Sequence, residues 1–342
     1  MRDPFGALTD PAILDLGATI AAATAVVAVG ARTHAGIGGA VVDAIEVQAP
    51  AGILDVQPSD MTVTVRAGTT CSDLDDALGA HGQECPLDPK DPHATVGGVL
   101  ATGLSGLRRL GLGPVRNTVL EVVFVNAEGR VVRGGGPTVK NVTGYDIPRL
   151  FVGSLGTLGV LVQVTLRTQP RSVASQWFAT PARGRDLFHH LFNPTTVASN
   201  GTITTVCLEG NPADINTQAR AAKLEPGPAP VHPSGAHTGR ISIDPRRLTE
   251  LETALESLAG LQWLAEWGVG TVHVATDDVA ELAQAREIAQ SHHGWMLREA
   301  GAPALDPFGT AFPVPELQRR IRRALDPSAK FSPGRVPATE PR

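Results

Sequence analysis

The chain has 342 residues, more than one domain core usually holds, and this length predicts about two domains. It carries 29 lysines and arginines against 34 aspartates and glutamates, without a long run of one sign, so nucleic-acid and anionic-membrane partners are not indicated. Its three cysteines lack C-x-x-C spacing, so we predict neither a disulfide framework nor a metal site.

The most apolar segment, Ala18–Val29, has only 12 residues and follows Asp15. It is too short for a transmembrane helix and has the wrong flanks for a secretory signal. We therefore expect a cytoplasmic protein without a transmembrane segment, which would reach a membrane only through partners.

The first predicted strand leads into a loop of small residues. Thr24–Val29 is rich in β-branched residues and predicts a buried strand. The loop after it is formed by Gly30, Ala31, Arg32, Thr33 and His34. Successive backbone N–H groups in such a loop can form an anion-binding concavity, for which phosphate is the natural ligand. A simple surface turn is the alternative.

Short strands are predicted at Val41–Val47 and Gly52–Val56, followed by a period-two strand at Met61–Gly68. Ser72 then caps a short predicted helix that closes at Gly79–Gly82. Further along, the strand Val119–Asn126 turns back in a predicted hairpin.

A second glycine-rich loop is predicted at Ala94–Gly106, where nearly every residue that is not aliphatic is small. Its amides and hydroxyls are candidate donors to a pyrophosphate or to a heterocyclic ring. A third segment, Pro137–Val160, places Gly153, Gly156 and Gly159 every third residue, which favours close approach of the backbone to a ligand. A glycine-rich turn between two strands is the alternative for this segment.

These segments, taken in order with Phe331–Arg335 near the end of the chain, resemble the vanillyl-alcohol oxidase (PCMH-type) FAD-binding family. Within that family they are most similar to the FAD-binding subunits of bacterial glycolate oxidases. The resemblance covers about residues 24–170 and the C-terminal tail.

The resemblance implies an α+β fold in which two α+β subdomains hold FAD and a smaller α+β cap covers the substrate. We expect a PCMH-type FAD-binding domain at residues 1–170, a cap at 171–305 and a C-terminal segment, 306–342, that returns to the FAD-binding domain. The middle of the chain supports the cap, because predicted strands and helices alternate from residue 171 and suggest an antiparallel sheet with helices on one face. Residues 225–239, with four prolines, are predicted to be a loop.

The resemblance also implies the cofactor contacts. Carried over by position, the candidate FAD-binding residues are Gly30, Ala31, Arg32, Thr33, His34, Thr95, Gly97, Gly98, Thr102, Gly103, Ser105, Gly113, Gly159 and Val160. His34 lies one position beyond the histidine that tethers flavin covalently in some relatives, so we expect FAD to be noncovalent. Lys140 and Tyr145 would either brace the third segment or contact FAD.

The chain departs from the family in two places. Val29–Arg32 replaces the usual Arg-Gly-Gly-Gly pattern of the first loop, and the H-G-G-D-G-N-L-H type motif, which binds metal and substrate in the related catalytic subunits, does not occur.

The candidate catalytic residues are His273 and Arg335. His273 could take the hydroxyl proton of an alcohol substrate, with a packed core histidine as the alternative. Arg335, and less favourably Arg298, could clamp a substrate carboxylate through its planar guanidinium, with ordinary ion pairing as the alternative.

We therefore expect an FAD-dependent oxidoreductase that oxidises a small 2-hydroxy acid by hydride transfer to flavin N5. It would be one subunit of a complex with a sister flavin subunit and an iron–sulfur subunit. A non-catalytic FAD-binding subunit of such a complex is the alternative, and a scaffold that has lost FAD is a third hypothesis.

Overall fold

The computed structural model describes residues 6–136, 145–309 and 315–336, with Gly6 and Leu8 described for their backbone alone. Lys140 and the rest of residues 137–144 lie outside these ranges. The helices are α1 (Gly6–Thr9), α2 (Pro11–Ala22), α3 (Cys71–Gly79), α4 (Val96–Thr102), α5 (Arg109–Leu112), α6 (Ile147–Phe151), α7 (Gly184–Phe188), α8 (Pro212–Ala221), α9 (Leu248–Leu255), α10 (Val279–Ser291) and α11 (Pro315–Leu325).

The strands lie between these helices in two larger sheets and two small ones. They are β1 (Val26–Ala28), β2 (Ile45–Val47), β3 (Ile53–Gln57), β4 (Thr62–Arg66), β5 (Gln83–Glu84), β6 (Val119–Val125), β7 (Val131–Gly135), β8 (Val160–Arg167), β9 (Gln169–Pro170), β10 (Ala174–Thr180), β11 (Thr196–Ser199), β12 (Thr204–Gly210), β13 (Glu225–Pro226), β14 (His237–Ser242), β15 (Gln262–Glu266), β16 (Thr271–Thr276) and β17 (Trp295–Ala300).

The first larger sheet has the strand order β3-β4-β8-β6-β7, and its neighbouring strands are antiparallel. Both of its faces are covered, so β4 is buried at every position and β8 at all but Gln163 and Arg167. On one face Val63 and Val65 pack in a core with Leu74 of α3 and Val99 of α4. Helix α2 covers the other face with Ile13, Ile20 and neighbouring apolar residues.

The C-terminal tail lies beside the short parallel pair β1–β2. The Val26 N–H donates to the Lys330 carbonyl at 2.9 Å, and the Ser332 N–H donates to the Val26 carbonyl at 2.7 Å. Phe331 is 1% exposed and packs in the core under α2. Residues far apart in sequence therefore meet at the end of β1, where the first glycine loop begins.

The second larger sheet has the order β13-β10-β12-β11-β15-β16-β14-β17 and is antiparallel between all these neighbours. One face packs against α7, α8, α9 and α10, through residues such as Val272 and Val274 of the sheet and Leu251 and Leu282 of the helices. The predicted α+β fold class is confirmed, including an antiparallel sheet with helices on one face.

Local assignments differ from the predictions in a few places. Within predicted strand 41–47 only Ile45–Val47 is extended as a strand, and the predicted loop at 225–239 gives way to β14 from His237. Strands β11 and β15 had not been predicted. Both are short and lack a clear alternation of apolar and polar residues. They adopt the extended conformation because they pair with β12 and β16.

The two larger sheets meet through the loop between α4 and α5. Thr196 Oγ1 donates to the Leu107 carbonyl at 2.8 Å. Arg108 donates to carboxylates from three segments, at 3.0 Å to Asp88, 3.1 Å to Glu84 and 3.2 Å to Glu209. These contacts place the face of the second sheet that carries no helices against the first half of the chain.

Across the described ranges, no helix has the length and apolar character needed to cross a membrane.

Candidate functional site

A cavity of about 630 Å³ opens where the first glycine loop, helix α4, residues 154–161 and Arg335 converge. This volume is typical of small-molecule and cofactor sites. Of the residues predicted to bind the cofactor, those that line the cavity are Gly30, Ala31, Arg32, Thr33, His34, Thr95, Gly97, Gly98, Thr102 and Gly159. Three separate segments of the prediction are therefore brought to one place.

The first loop offers free backbone donors to this cavity. Val29 N–H still pairs with the Val47 carbonyl at 2.9 Å, but among the described residues no protein acceptor receives the backbone N–H groups of residues 30–34. Arg32 has φ of 59°, in the left-handed region, which turns the loop. A run of unpaired N–H groups in a tight turn is the arrangement that binds phosphate. The loop thus fits the pyrophosphate of FAD.

Side chains of the loop are held by local contacts. Arg32 Nη1 donates to Glu46 Oε1 on β2 at 2.9 Å in an exposed ion pair. Thr33 Oγ1 lies 2.9 Å from His34 Nδ1. Burial lowers the pKa of His34, so its neutral form is favoured at neutral pH.

The second predicted loop is for the most part a helix, and this corrects the expected role of its donors. Residues 96–102 form α4, and the N–H and hydroxyl groups predicted to contact the cofactor are already hydrogen-bonded within the protein. The Gly97 N–H donates to the Ala67 carbonyl at 2.8 Å, and the Gly98 N–H donates to Thr95 Oγ1 at 3.2 Å. Thr102 Oγ1 donates to the Gly98 carbonyl at 3.0 Å. Helix α4 therefore lines the cavity with small side chains and Cα atoms and not with free N–H groups. Such a surface suits a flat ring.

The remaining predicted cofactor residues do not line the cavity. Gly103, with φ of 66°, ends α4, and Gly113, with φ of 79°, ends α5. Ser105 Oγ accepts the Val115 N–H at 3.4 Å, and Val160 is 1% exposed at the start of β8. These positions shape the segments around the cavity, and direct contact with FAD stays a prediction for them.

The third glycine segment contributes Gly156, which the glycine spacing marked, and two residues that the sequence did not single out, Ser154 and Leu155. Ser154, Leu155 and Gly156 line the cavity together with Gly159. The glycine spacing was the available signal, and it marked the turn without marking the residues between the glycines. Tyr145 is 88% exposed and is not among the residues around the cavity, which favours a surface role for it.

Arg335 lines the cavity and, from the tail, braces the segment 35–39 that directly follows the first loop. Its Nη1 atom donates to the carbonyls of Ala35 and Ile37, each at 2.9 Å. The Gly39 N–H in turn donates to the Arg335 carbonyl at 2.8 Å. These contacts favour a loop-bracing role, and the substrate-clamp role stays a prediction. Arg298 is similarly occupied, with Nη1 2.7 Å from the Gly301 carbonyl and Nη2 3.2 Å from the Gly38 carbonyl.

His273 lies outside the cavity lining, on the face of the second sheet that is free of helices. Its Nε2 atom is 2.8 Å from Glu266 Oε1, and its ring meets the ring of His232 edge-on at 4.7 Å. Burial lowers the pKa of His273 and raises the pKa of Glu266, so the buried pair favours its uncharged forms. Glu266 was missed from the sequence because β15 was missed. The catalytic role of His273 stays a prediction.

A metal centre is not evident in the described ranges, where histidine, cysteine and acidic residues do not gather in groups of three or more suited to an ion. The prediction that the chain holds no metal is not tested by this observation.

Comparison with known families identifies the first part of the chain. Residues 15–135 match the family described as FAD binding domain, and this stretch contains the first glycine loop and α4. The predictions of a PCMH-type FAD-binding domain and of FAD as cofactor are therefore confirmed.

Three curated proteins illustrate the similarity along the chain. Glycolate oxidase subunit GlcE of Escherichia coli is 28% identical over 321 residues, which cover 85% of this chain and 86% of that protein. D-lactate dehydrogenase of Archaeoglobus fulgidus is 42% identical over 118 residues, or 34% of this chain and 27% of that protein. Glycolate oxidase subunit GlcD of Bacillus subtilis is 37% identical over 120 residues, or 35% of this chain and 26% of that protein. The match therefore spans about a quarter of the last two proteins but most of the first.

Among solved structures, an alkyldihydroxyacetonephosphate synthase is similar with a TM-score of 0.67 and 12% sequence identity, covering 93% of this chain and 74% of that one. At this identity the likeness shows the fold alone. The prediction of an FAD-dependent oxidoreductase is confirmed by the family match and by the oxidoreductase relatives.

Proposed function

We propose that this FAD-binding chain oxidises a small 2-hydroxy acid, of the glycolate or lactate type, as one subunit of a larger complex. The observation that carries the proposal is the cavity lined by the first loop, whose backbone N–H groups at residues 30–34 have no acceptor in the part of the chain that the structure describes. The names of the glycolate oxidase and D-lactate dehydrogenase relatives support the substrate class.

In this proposal the first loop binds the pyrophosphate through its backbone, and Arg335 keeps the loop in its binding conformation. Helix α4 provides a surface where Gly97, Gly98 and Ala101 allow a planar ring to lie close to the backbone. In this hypothesis His34 does not form a covalent bond to the flavin, because it lies one position beyond the tethering histidine of some relatives, and FAD is held noncovalently.

The chemistry supplied by the flavin, when bound, is acceptance of a hydride at N5 from the substrate α-carbon. The chain would position the acid between the cavity and the second sheet. His273, neutral because of burial and hydrogen-bonded to Glu266, would accept the substrate hydroxyl proton at its imidazole.

The architecture proposed for this activity divides the chain into an FAD-binding domain at 1–170, a cap at 171–305 and a returning segment at 306–342. Its partners would be a sister flavin subunit and an iron–sulfur subunit that accepts the electrons. A cytoplasmic location, with membrane contact only through such partners, is part of the same proposal.

A second candidate is a non-catalytic FAD-binding subunit. It is supported by the lack of an H-G-G-D-G-N-L-H type motif in the sequence and by the word subunit in the name of the relative that matches most of the chain. In that case the cavity would still bind FAD, but the sister subunit would oxidise the substrate.

Anaerobic mixing of the purified, FAD-loaded chain with glycolate, D-lactate and L-lactate separates these candidates. Bleaching of the visible flavin bands by one of the acids is expected if the chain is itself catalytic. Flavin that stays oxidised with every acid, in the isolated chain and after addition of the partner subunits alike, would contradict catalysis at this site.

A further inference from the structure

We infer that Arg240 and Arg109 form an anion-binding site between the second sheet and the α5 segment, and that this site takes the carboxylate of the substrate. The inference rests on the proposed function for the identity of the ligand. The site itself is argued from two guanidinium groups that are buried or half-buried and that, among the described residues, have no acidic partner at hydrogen-bond distance.

Arg240 lies on β14 directly opposite His273 of β16. Its side chain is only 11% exposed, and its nearest carboxylate oxygen, Glu299 Oε1, is 3.9 Å from Nε. Within the described part of the chain, Nε is buried without a hydrogen-bond partner. Burial also lowers the pKa of Arg240, which is the electrostatic cost of desolvating this charge. A buried guanidinium without good hydrogen bonds is expensive, and a carboxylate ligand would offset that cost.

Arg109 approaches the same region from the other side. It is the first residue of α5, is half-buried, and has no ion pair or side-chain hydrogen bond with any other described residue. Its neighbour Arg108 contrasts with it, because Arg108 bonds to three carboxylates. Helix α5 docks on the second sheet, where the Gly111 N–H donates to the Thr195 carbonyl at 3.2 Å. Arg109 acts to lower the pKa of Arg240, after the larger effect of burial, and opposes the rise in the pKa of Glu266. Two cations therefore face one small region.

The acidic groups of this region do not neutralise the pair. Asp88 is used by Arg108. Glu266 Oε1 forms a hydrogen bond with His273 Nε2. The other oxygen of Glu266, the buried Oε2 atom, has no hydrogen-bond partner among the described residues. Because burial raises the pKa of Glu266, the protonated carboxyl does not repel an anion and can donate a hydrogen bond to it. Among the described residues, Glu299 forms the one ion pair with Arg240, and its Oε1 atom is 3.9 Å from Nε, too far for a hydrogen bond.

The position of the site relative to the cavity follows from β17. Strand β14, which carries Arg240, pairs with β17, and the backbone of Glu299 on β17 lies next to Gly36, just after the first loop. After the larger effect of burial, Arg240 also acts to lower the pKa of His34, which lines the cavity, and of His273. The site therefore lies on the strands of the second sheet that meet the segment after the first loop. A 2-hydroxy acid held there by its carboxylate would place its hydroxyl near His273.

The test uses the FAD-loaded chain and oxalate, a small carboxylate that has no α-hydrogen to lose. Isothermal titration calorimetry would measure oxalate affinity for the wild type, Arg240→Gln and Arg109→Gln, with the FAD content of each protein measured beside it. Each substitution is expected to weaken oxalate binding by roughly 10- to 100-fold, the loss of a charge-assisted hydrogen-bonded contact. The matched control is Arg246→Gln, an arginine of the same half of the chain whose side chain is 91% exposed, which is expected to leave the affinity unchanged.

Three results would overturn the inference: an FAD-loaded wild type that does not bind oxalate, an unchanged affinity in both variants, or an equal loss in the Arg246→Gln control. If Arg240→Gln does not fold, Arg109→Gln, on the opposite side of the site, decides the question. A chain that holds no FAD contradicts the proposed function instead, so the two failures are distinguishable.

Discussion

Replacing Arg335 by methionine tests whether the C-terminal tail organises the FAD loop. The guanidinium donates from Nη1 to the carbonyls of Ala35 and Ile37 at 2.9 Å, while the aliphatic part of the side chain lies under Gly38. Methionine keeps most of the apolar contact and removes the donors. The variant therefore changes the hydrogen bonds of the loop with little change in packing volume.

The size of the effect follows from these two bonds. A hydrogen bond with a charged donor contributes about 1.5–3 kcal/mol when buried, and since the loop carbonyls can be rehydrated on opening, we take about 1–1.5 kcal/mol for each. The sum of about 2–3 kcal/mol corresponds to roughly 30- to 150-fold weaker FAD binding if FAD requires the ordered loop.

The assay is the dissociation constant of FAD, measured by quenching of flavin fluorescence on titration of the apoprotein. Arg323→Met is the matched control, because Arg323 is an exposed arginine of the preceding helix α11. An Arg335→Met variant that binds FAD as the wild type does would refute the loop-bracing role. If its FAD affinity is normal and only its KM for the acid rises, the substrate-clamp role is correct instead.

Three other substitutions probe the cavity, the tail and a half-buried carboxyl. Gly98→Leu should weaken FAD binding by roughly 10- to 100-fold in the same titration, because among the described residues a Cβ there meets just Thr95 Oγ1 within 4 Å and the rest of the side chain would enter the cavity. Lys330→Met should lower the free energy of unfolding in urea by roughly 2–4 kcal/mol, because the buried ammonium donates to three backbone carbonyls at 2.8–3.1 Å. Burial raises the pKa of Glu252 from 4.5 to about 7, so the stability that its protonated form contributes to the fold is complete below pH 4.5 and is lost as the pH rises through 7. Glu252→Gln should therefore lose less stability than the wild type between about pH 5 and pH 8.

Each of these variants has a control on the same chain. Gly136→Leu, where an added Cβ meets no atom of the described residues within 4 Å, should bind FAD normally, and equal FAD affinity in the two leucine variants would show that Gly98 does not face the cofactor. Exposed Lys223→Met should unfold at the wild-type urea concentration, and a Lys330 variant that does the same would contradict the tail contact. Exposed Glu250→Gln should keep the wild-type pH profile, and an unchanged profile in Glu252→Gln would remove that group as the cause.

The three glycine-rich segments could be found from the sequence because small residues in order are a local signal. Their conformations could not be found in the same way. The segment 94–106 has enough glycines to suggest a loop, yet Thr95 caps a helix there through the Gly98 N–H, and tertiary contacts with Ala67 hold it. From the sequence Gly97 is the natural choice for a blocking substitution, but a Cβ there meets Ala67 at 3.0 Å, so Gly98 is the cleaner test.

Long-range contacts account for most of what the sequence did not reveal. Glu266 lies on β15, which is extended because it pairs with β16, and its proximity to His273 depends on that pairing. Arg240 and Arg109 are 131 positions apart by their numbers and come near each other only when the α5 segment docks on the second sheet. Such contacts depend on which strands become neighbours, and periodicity within one strand does not encode that choice.

The visible absorption spectrum of the purified chain tests the central claim most directly. The account predicts flavin bands that stay with the folded protein through gel filtration and are released into the supernatant on denaturation, since FAD is expected to be noncovalent. A chain that shows no flavin bands, and takes up none when FAD is added, would contradict the assignment of the cavity and the function proposed from it.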